Sequence, residues 1–244
     1  MPRVPQPVSS PSFSRNRLLA ALAPEDLARL RPHLQPVALV LGEVLGKPGC
    51  PVTHVLFPEA GMVSLLAVSL SRQQRVEIGL IGREGLVGSP VVLGTDVCPH
   101  ETLVQADLHG ARVPADKLRR AMADSSALHG VLLRYVQALA TQTAHTALAN
   151  AAHRLDQRLA RWLLMCCDRL DGDELPLTQL LLSRMLGTNR PGVNGAVRAL
   201  KDAGLIGHAR SRITVLDRAG LEAAAGGSYG APEAEHARLF GSLH

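Results

Sequence analysis

LPLTQLLLSRMLGTNRPGVNGAVRALKDAG, residues 175–204, decides how the chain is read. Two segments of helical apolar spacing flank a glycine, the pattern of two short helices joined by a tight turn. Thr178 is placed to cap the first helix, Leu182, Met185 and Leu186 follow at helical spacing, and Gly187 supplies the permissive turn residue. Arg190 precedes a proline and is biased away from helical geometry. Pro191 is therefore expected to open the second helix, capped by Asn189 or Arg190, and that helix to run to about Ala203. Val193, Val197 and Leu200 recur at i, i+4 and i+7 and should face the first helix. Asn194, Arg198 and Lys201 repeat that spacing one residue on and should face outward.

An outward row of one amide and two cations suits a nucleic acid, and the layout is that of a DNA-reading helix-turn-helix. Gly204 ends the second helix. Residues 205–215, LIGHARSRITV, then read as two short strands with a basic tip carrying Arg210 and Arg212. Such a wing adds phosphate contacts that set register without reading bases. The alternative is an ordinary helical hairpin with a solvated basic face. Turn, cap, basic row and wing agree in order and length, which favours DNA.

At 244 residues the chain is long enough for two modest domains, and its net charge of +5 points to an anionic partner. One Trp, two Tyr and three Phe are too few for the stacking platforms of single-strand binders, so double-stranded DNA is the expected target. Cys50, Cys98, Cys166 and Cys167 show neither a C-x-x-C pair nor zinc spacing, which predicts a reducing, cytoplasmic setting. No apolar run approaches the roughly 18 to 20 residues of a bilayer span, and MPRVPQPVSSPSFS lacks a signal-peptide pattern. No membrane contact is expected. No recognisable catalytic constellation is present, so neither an enzyme nor a cofactor is expected. The glycines from Gly82 to Gly88 lack the lysine of a phosphate loop and read as turn residues, and Cys98 with His100 lacks two further metal ligands.

The chain divides by texture. Residues 1–14, rich in proline and serine, are expected to be a disordered tail, and residues 15–124 a sensory β-roll domain. Short helices are predicted at Arg15 to Leu22 and Pro24 to Leu30. The apolar runs Val37 to Leu41, His54 to Phe57, Met62 to Val68, Val76 to Ile81 and Leu103 to Ala106 are separated by turns such as Pro58-Glu59-Ala60-Gly61 and read as an antiparallel roll. A helix at Asp116 to Met122 precedes a long one over 125–150. On it Leu128, Val131, Leu132, Tyr135, Leu139, Gln142 and Thr146 form a near-heptad seam, expected to be a dimer interface. Packing of that seam on the roll within one chain remains open. Leu155 to Leu170 forms a third amphipathic helix, whose Cys166 and Cys167 read either as structural thiols or as a redox sensor. The winged helix-turn-helix domain is placed at 151–222, with a hinge near Asn150 to Arg154, and 223–244 as a mobile tail.

With roll, long helix and winged helix-turn-helix in this order, residues 16–222 resemble the Crp/Fnr family of bacterial transcription regulators, most specifically in MLGTNRPGVNGAVRALKDAGLI. The resemblance implies an α+β fold: an N-terminal antiparallel β-roll of the cyclic-nucleotide-binding-like kind, a long dimerisation helix and a C-terminal winged helix-turn-helix. It also implies a homodimer on a two-fold symmetric operator, with output to RNA polymerase. Arg190 matches an arginine that reads guanine in the family, whereas Pro191 and Gly195 replace a frequent glutamate and arginine, so the family's base code does not transfer. Thr178, Asn189, Arg190, Asn194, Arg198, Lys201, Arg210 and Arg212 are the expected DNA contacts.

Where cyclic-nucleotide binders hold ribose and phosphate, this chain has Gly88 and Ser89, then Glu101 and Thr102, a degenerate effector site in which a carboxylate would repel a phosphodiester. The expectation is thus a homodimeric, sequence-specific DNA-binding regulator whose sensory domain does not bind cyclic AMP. A thiol-based redox sensor, or a small-molecule sensor acting mainly through protein contacts, is the alternative.

Overall fold

The computed structural model describes residues 15–71, 74–172, 174–175, 177–209 and 212–241. The expected tail at 1–14 lies outside them. Two short helices, α1 (Arg17–Ala20) and α2 (Pro24–Leu30), lead into β1 (Gln35–Leu39), β2 (Val44–Gly46), β3 (His54–Val68), β4 (Arg75–Ile81), α3 (Ser89–Val92) and β5 (Glu101–Pro114). The helices α4 (Ala115–Asp124), α5 (Ser126–Ala152) and α6 (Leu155–Cys167) follow. The remainder is β6 (Glu174–Leu175), α7 (Gln179–Met185), α8 (Arg190–Asp202), β7 (Ile206–Ala209), β8 (Arg212–Val215), α9 (Arg218–Ala224) and α10 (Ala231–Phe240).

The roll is an antiparallel sheet of order β1-β5-β3-β4, with β2 also paired to β5. Pro58 to Gly61, expected to be a turn, lies inside the continuous strand β3, where the register against β5 shifts. Two glycines make that bend possible. Gly61 has φ +81°, and a Cβ there would collide with the Asp107 carbonyl; on β5, opposite Pro58, a Cβ on Gly110 would collide with the Phe57 carbonyl. The strands approach at these points only because both side chains are missing, so one long bulged strand replaces two short ones.

Alternation along the strands gives the sheet two covered faces. Leu65 and Ile81 belong to the roll core, which also takes Leu18, Leu118 and the first half of α5. Their neighbours Leu66 and Leu80, with Met62, join a second core built by α6, α7, α8 and the β7–β8 hairpin. Strands β3 and β4 therefore separate the two cores.

The long helix α5 starts at a Ser125 cap, whose hydroxyl accepts a hydrogen bond from the Leu128 amide at 3.2 Å. The expected dimer seam of Leu128, Val131, Leu132, Tyr135, Leu139, Gln142 and Thr146 is buried within the single chain. Polar members of this seam are committed there. The Tyr135 hydroxyl donates to the Leu86 carbonyl at 3.1 Å, and the Gln142 amide brackets Leu80, accepting from its N–H at 2.6 Å and donating to its C=O at 3.1 Å. Thr146 accepts from the Arg161 guanidinium at 3.2 Å. These seven residues thus seat α5 on the roll and α6, and the assignment to a chain–chain seam is corrected.

The expected mobile tail is corrected as well. After α9 the chain turns back, and α10 packs along α5, burying Pro232 and His236 and resting Phe240 on the roll core. The return is pinned by Asp168, which accepts from Arg218 and from the Tyr229 hydroxyl, each at 2.8 Å. Arg161 donates to the Ser228 carbonyl at 3.0 Å.

Candidate nucleic-acid interface

The helix-turn-helix forms as its residues dictate. The Thr178 hydroxyl accepts from the Leu181 amide at 3.2 Å and opens α7. The helix ends at Gly187, whose φ of +60° favours glycine. The Asn189 side chain accepts from the Gly192 amide at 2.9 Å and caps α8. Arg190 is thus the first helical residue and Pro191 the second, one position later than expected. The cap outweighs the pre-proline bias against helical geometry at Arg190.

On α8, Val193, Ala196, Val197 and Leu200 are buried, while Arg190, Asn194, Arg198 and Lys201 are exposed. Asn194 and Lys201 lie about 10.5 Å apart along the helix axis at 1.5 Å per residue. The major groove of B-DNA, about 12 Å wide, admits a helix of about 10 to 12 Å diameter, so a row of that length can lie along the groove floor. The Arg198 side chain is 85% exposed, and its 3.5 Å pair with Asp202 is weak enough to exchange for a phosphate. Arg184, the one basic residue within QLLLSRM, is exposed on α7 and adds a cation to this half of the molecule that no periodicity announced.

The wing is a three-stranded sheet of order β6-β8-β7. Arg212 is exposed and paired with Glu174 at 2.8 Å. Arg210, at the expected basic tip, lies outside the described residues.

The unit is anchored to the roll by polar contacts on the sheet's outer face. Trp162 Nε1 donates to the Glu77 carboxylate at 2.6 Å, Ser64 donates to the other Glu77 oxygen, and Gln105 donates to Met185 Sδ at 3.0 Å. Burial raises the Glu77 carboxyl to about 7, against the hydrogen bonds from Ser64 and Trp162, which lower it. Arg169 pairs with Glu84 at 2.8 Å, both side chains buried. Between α5 and α6, His153 and Arg154 have extended backbone.

In the roll, Gly88, Ser89 and Thr102 line one cavity. Glu101 does not join them. It turns to Arg75 at 3.3 Å, so the expected charge repulsion in the effector site is absent. Cys98 donates its thiol to the His100 carbonyl at 2.9 Å. Burial pushes the Cys98 and Cys166 thiols up, opposite to the activated thiolate a redox sensor needs. Among the described residues no helix is long and apolar enough to cross a membrane.

Residues 157–224, spanning α6 to α9, match the Crp-like helix-turn-helix domain. No curated protein matched the sequence. Three solved structures share the fold. A protein assigned to the Crp/Fnr family of regulators, from Eubacterium rectale, is 17% identical with a TM-score of 0.67 over 85% of this chain and 97% of its own. A CRP-family regulator from Thermus thermophilus is 19% identical with a TM-score of 0.66, over 80% of this chain and 99% of its own. The c-di-GMP-responsive regulator CLP from Xanthomonas campestris is 16% identical with a TM-score of 0.64, over 79% of this chain and 99% of its own. The architecture is therefore that of Crp/Fnr transcription regulators, and its C-terminal part is a Crp-like helix-turn-helix domain.

Proposed function

We propose that the protein is a sequence-specific DNA-binding transcription regulator that acts as a homodimer in the cytoplasm. The observation that carries this reading is the exposed row Arg190, Asn194, Arg198 and Lys201 on a capped α8 whose other face is buried. Arg190 and Asn194 read base edges, and Arg198, Lys201 and the wing arginines, Arg210 and Arg212, hold phosphates. Asn189 and Thr178 use an acceptor on their helices, which leaves an amide N–H and a hydroxyl to donate to phosphate.

A second copy docks on the uncovered face of α5, where Leu133, Ala140, Ala144 and Leu148 are exposed at helical spacing and the two leucines are 41% and 53% exposed. A symmetric pair presents two α8 helices to successive major grooves. Rotation about His153 and Arg154 sets their separation, so a signal in the roll would act by shifting the population of DNA-competent arrangements. Output to RNA polymerase rests on the resemblance to Crp/Fnr regulators.

Arg190→Ala and Lys201→Ala separate the roles. Binding of each to a selected site and to scrambled duplexes is measured across a salt series. Arg190→Ala is expected to cost about 1 to 3 kcal/mol on the selected site and to relax one base position. Lys201→Ala is expected to weaken all duplexes alike and reduce the salt slope by about 1. Uniform loss from both changes would refute the assigned reading.

A further inference from the structure

The roll encloses a cavity of about 360 Å³, at the small end of the range for small-molecule sites. Its wall is made by Leu39, Leu45, Leu56, Leu65, Ile81 and Val87. Ser89, Thr102, His54, His100 and Arg112 contribute polar groups, and none of the described lining residues is an aspartate or glutamate. Leu93 and Arg112 are exposed and mark the mouth. Burial holds the His100 imidazole below its ordinary range, so it lines the cavity as a neutral group.

A nucleotide brings ribose hydroxyls, ring nitrogens and a phosphodiester, most of which would meet leucine and isoleucine and lose their hydrogen bonds to water. An apolar body gains from the same wall by leaving water. One anionic group can then lie at the mouth, where Arg112, whose Nε donates to Gln35 Oε1 at a long 3.4 Å, has its two terminal nitrogens to offer a carboxylate.

We propose that the roll cavity binds a small carboxylic acid with an apolar body, its carboxylate held at Arg112. That such binding is a regulatory signal rests on the DNA-binding reading above, whereas the binding itself does not. The route to the helix-turn-helix is short. Leu65 and Ile81 face the ligand, and the adjacent Ser64, Leu66 and Leu80 face the second core and its α7 contacts on the other side of the same two strands.

The test is isothermal titration of the full chain with octanoate, 3-phenylpropionate, 1-octanol and cyclic AMP, with Arg112→Gln and Leu93→Trp as variants whose folding is checked by melting temperature. At least one acid is expected to bind saturably at one site per chain, octanol at least tenfold more weakly and cyclic AMP not at all. Arg112→Gln should weaken the acid at least tenfold and leave octanol unchanged; Leu93→Trp should block both. Absence of saturable binding by either acid, tighter binding of cyclic AMP, or an unchanged acid affinity in Arg112→Gln would overturn the proposal. Acid binding by a chain that selects no DNA sequence either with or without the acid would support the site and refute the regulator reading.

Discussion

Helices α8 and α5 both carry one apolar face, yet they end in opposite situations. On α8 the apolar stripe turns into its own domain and the basic row is left for a partner. On α5 the stripe with the strongest heptad spacing is consumed by the roll, α6 and α10, and a weaker stripe of alanines with two leucines is left over. Periodicity therefore reports that a face is covered and is silent on what covers it. On α8 the charges resolve that ambiguity, because cations cannot be buried unpaired. On α5 no charge pattern does so, and Tyr135 and Gln142 look alike in sequence whether they meet a second chain or the Leu80 and Leu86 backbone.

The sharpest break in this comparison is Leu132→Ala. Leu132 is fully buried in the roll core, and its truncation is expected to cost about 2 to 5 kcal/mol in urea unfolding, independent of protein concentration. A cost that grows on dilution would return Leu132 to a chain–chain seam.

The contact between the two cores is expected to show as a pH effect at Glu77. Its carboxyl titrates at about 7 in the folded protein, above the unfolded value of 4.5, because burial disfavours the charge. Its contribution is thus fully present below the unfolded value and is lost as pH rises through about 7, by about 1.4 kcal/mol for each pH step between the two values. His236, whose burial lowers it, works in the opposite sense, so the readout is the native chain against Glu77→Gln. The native chain should lose stability relative to the variant between about pH 5 and 8. Parallel unfolding curves would contradict the buried, protonated carboxyl.

The smallest expected change in stability is that of Leu148→Glu, within about 0.5 kcal/mol at a dilution where the native chain is also monomeric, because Leu148 is exposed in the single chain. The same change should shift sedimentation from dimer to monomer, because the charge lies on the free face of α5. An unaltered dimer would place the interface elsewhere.

Much of the DNA-facing half was legible because its signals are local. Thr178 and Asn189 cap within three residues, Gly187 turns the chain, and α8 separates its faces within four turns. The roll was legible as strands but not as shape. Pro58 to Gly61 carries turn residues, and only the close approach of β5 at Asp107 and Gly110 reveals a bulged strand. The return of α10 had no signal, since PEAEHARLF holds few apolar residues and its anchors, Asp168 and Glu84, lie far away in sequence. The cavity was legible in part: Gly88, Ser89 and Thr102 were expected at an effector site, whereas Arg112, far away in sequence, joins the same lining only through the closure of the sheet.

The most direct test of the central claim is selection from a random duplex pool at about 0.15 M salt, where non-specific attraction is weakened, with the native chain and Leu148→Glu in parallel. The native chain is expected to enrich a two-fold symmetric sequence whose half-sites lie about one helical turn apart, and Leu148→Glu to lose the symmetry. Failure of the native chain to enrich any sequence, both alone and with an acid that saturates the roll, or enrichment of a site without two-fold symmetry, would contradict the dimeric regulator.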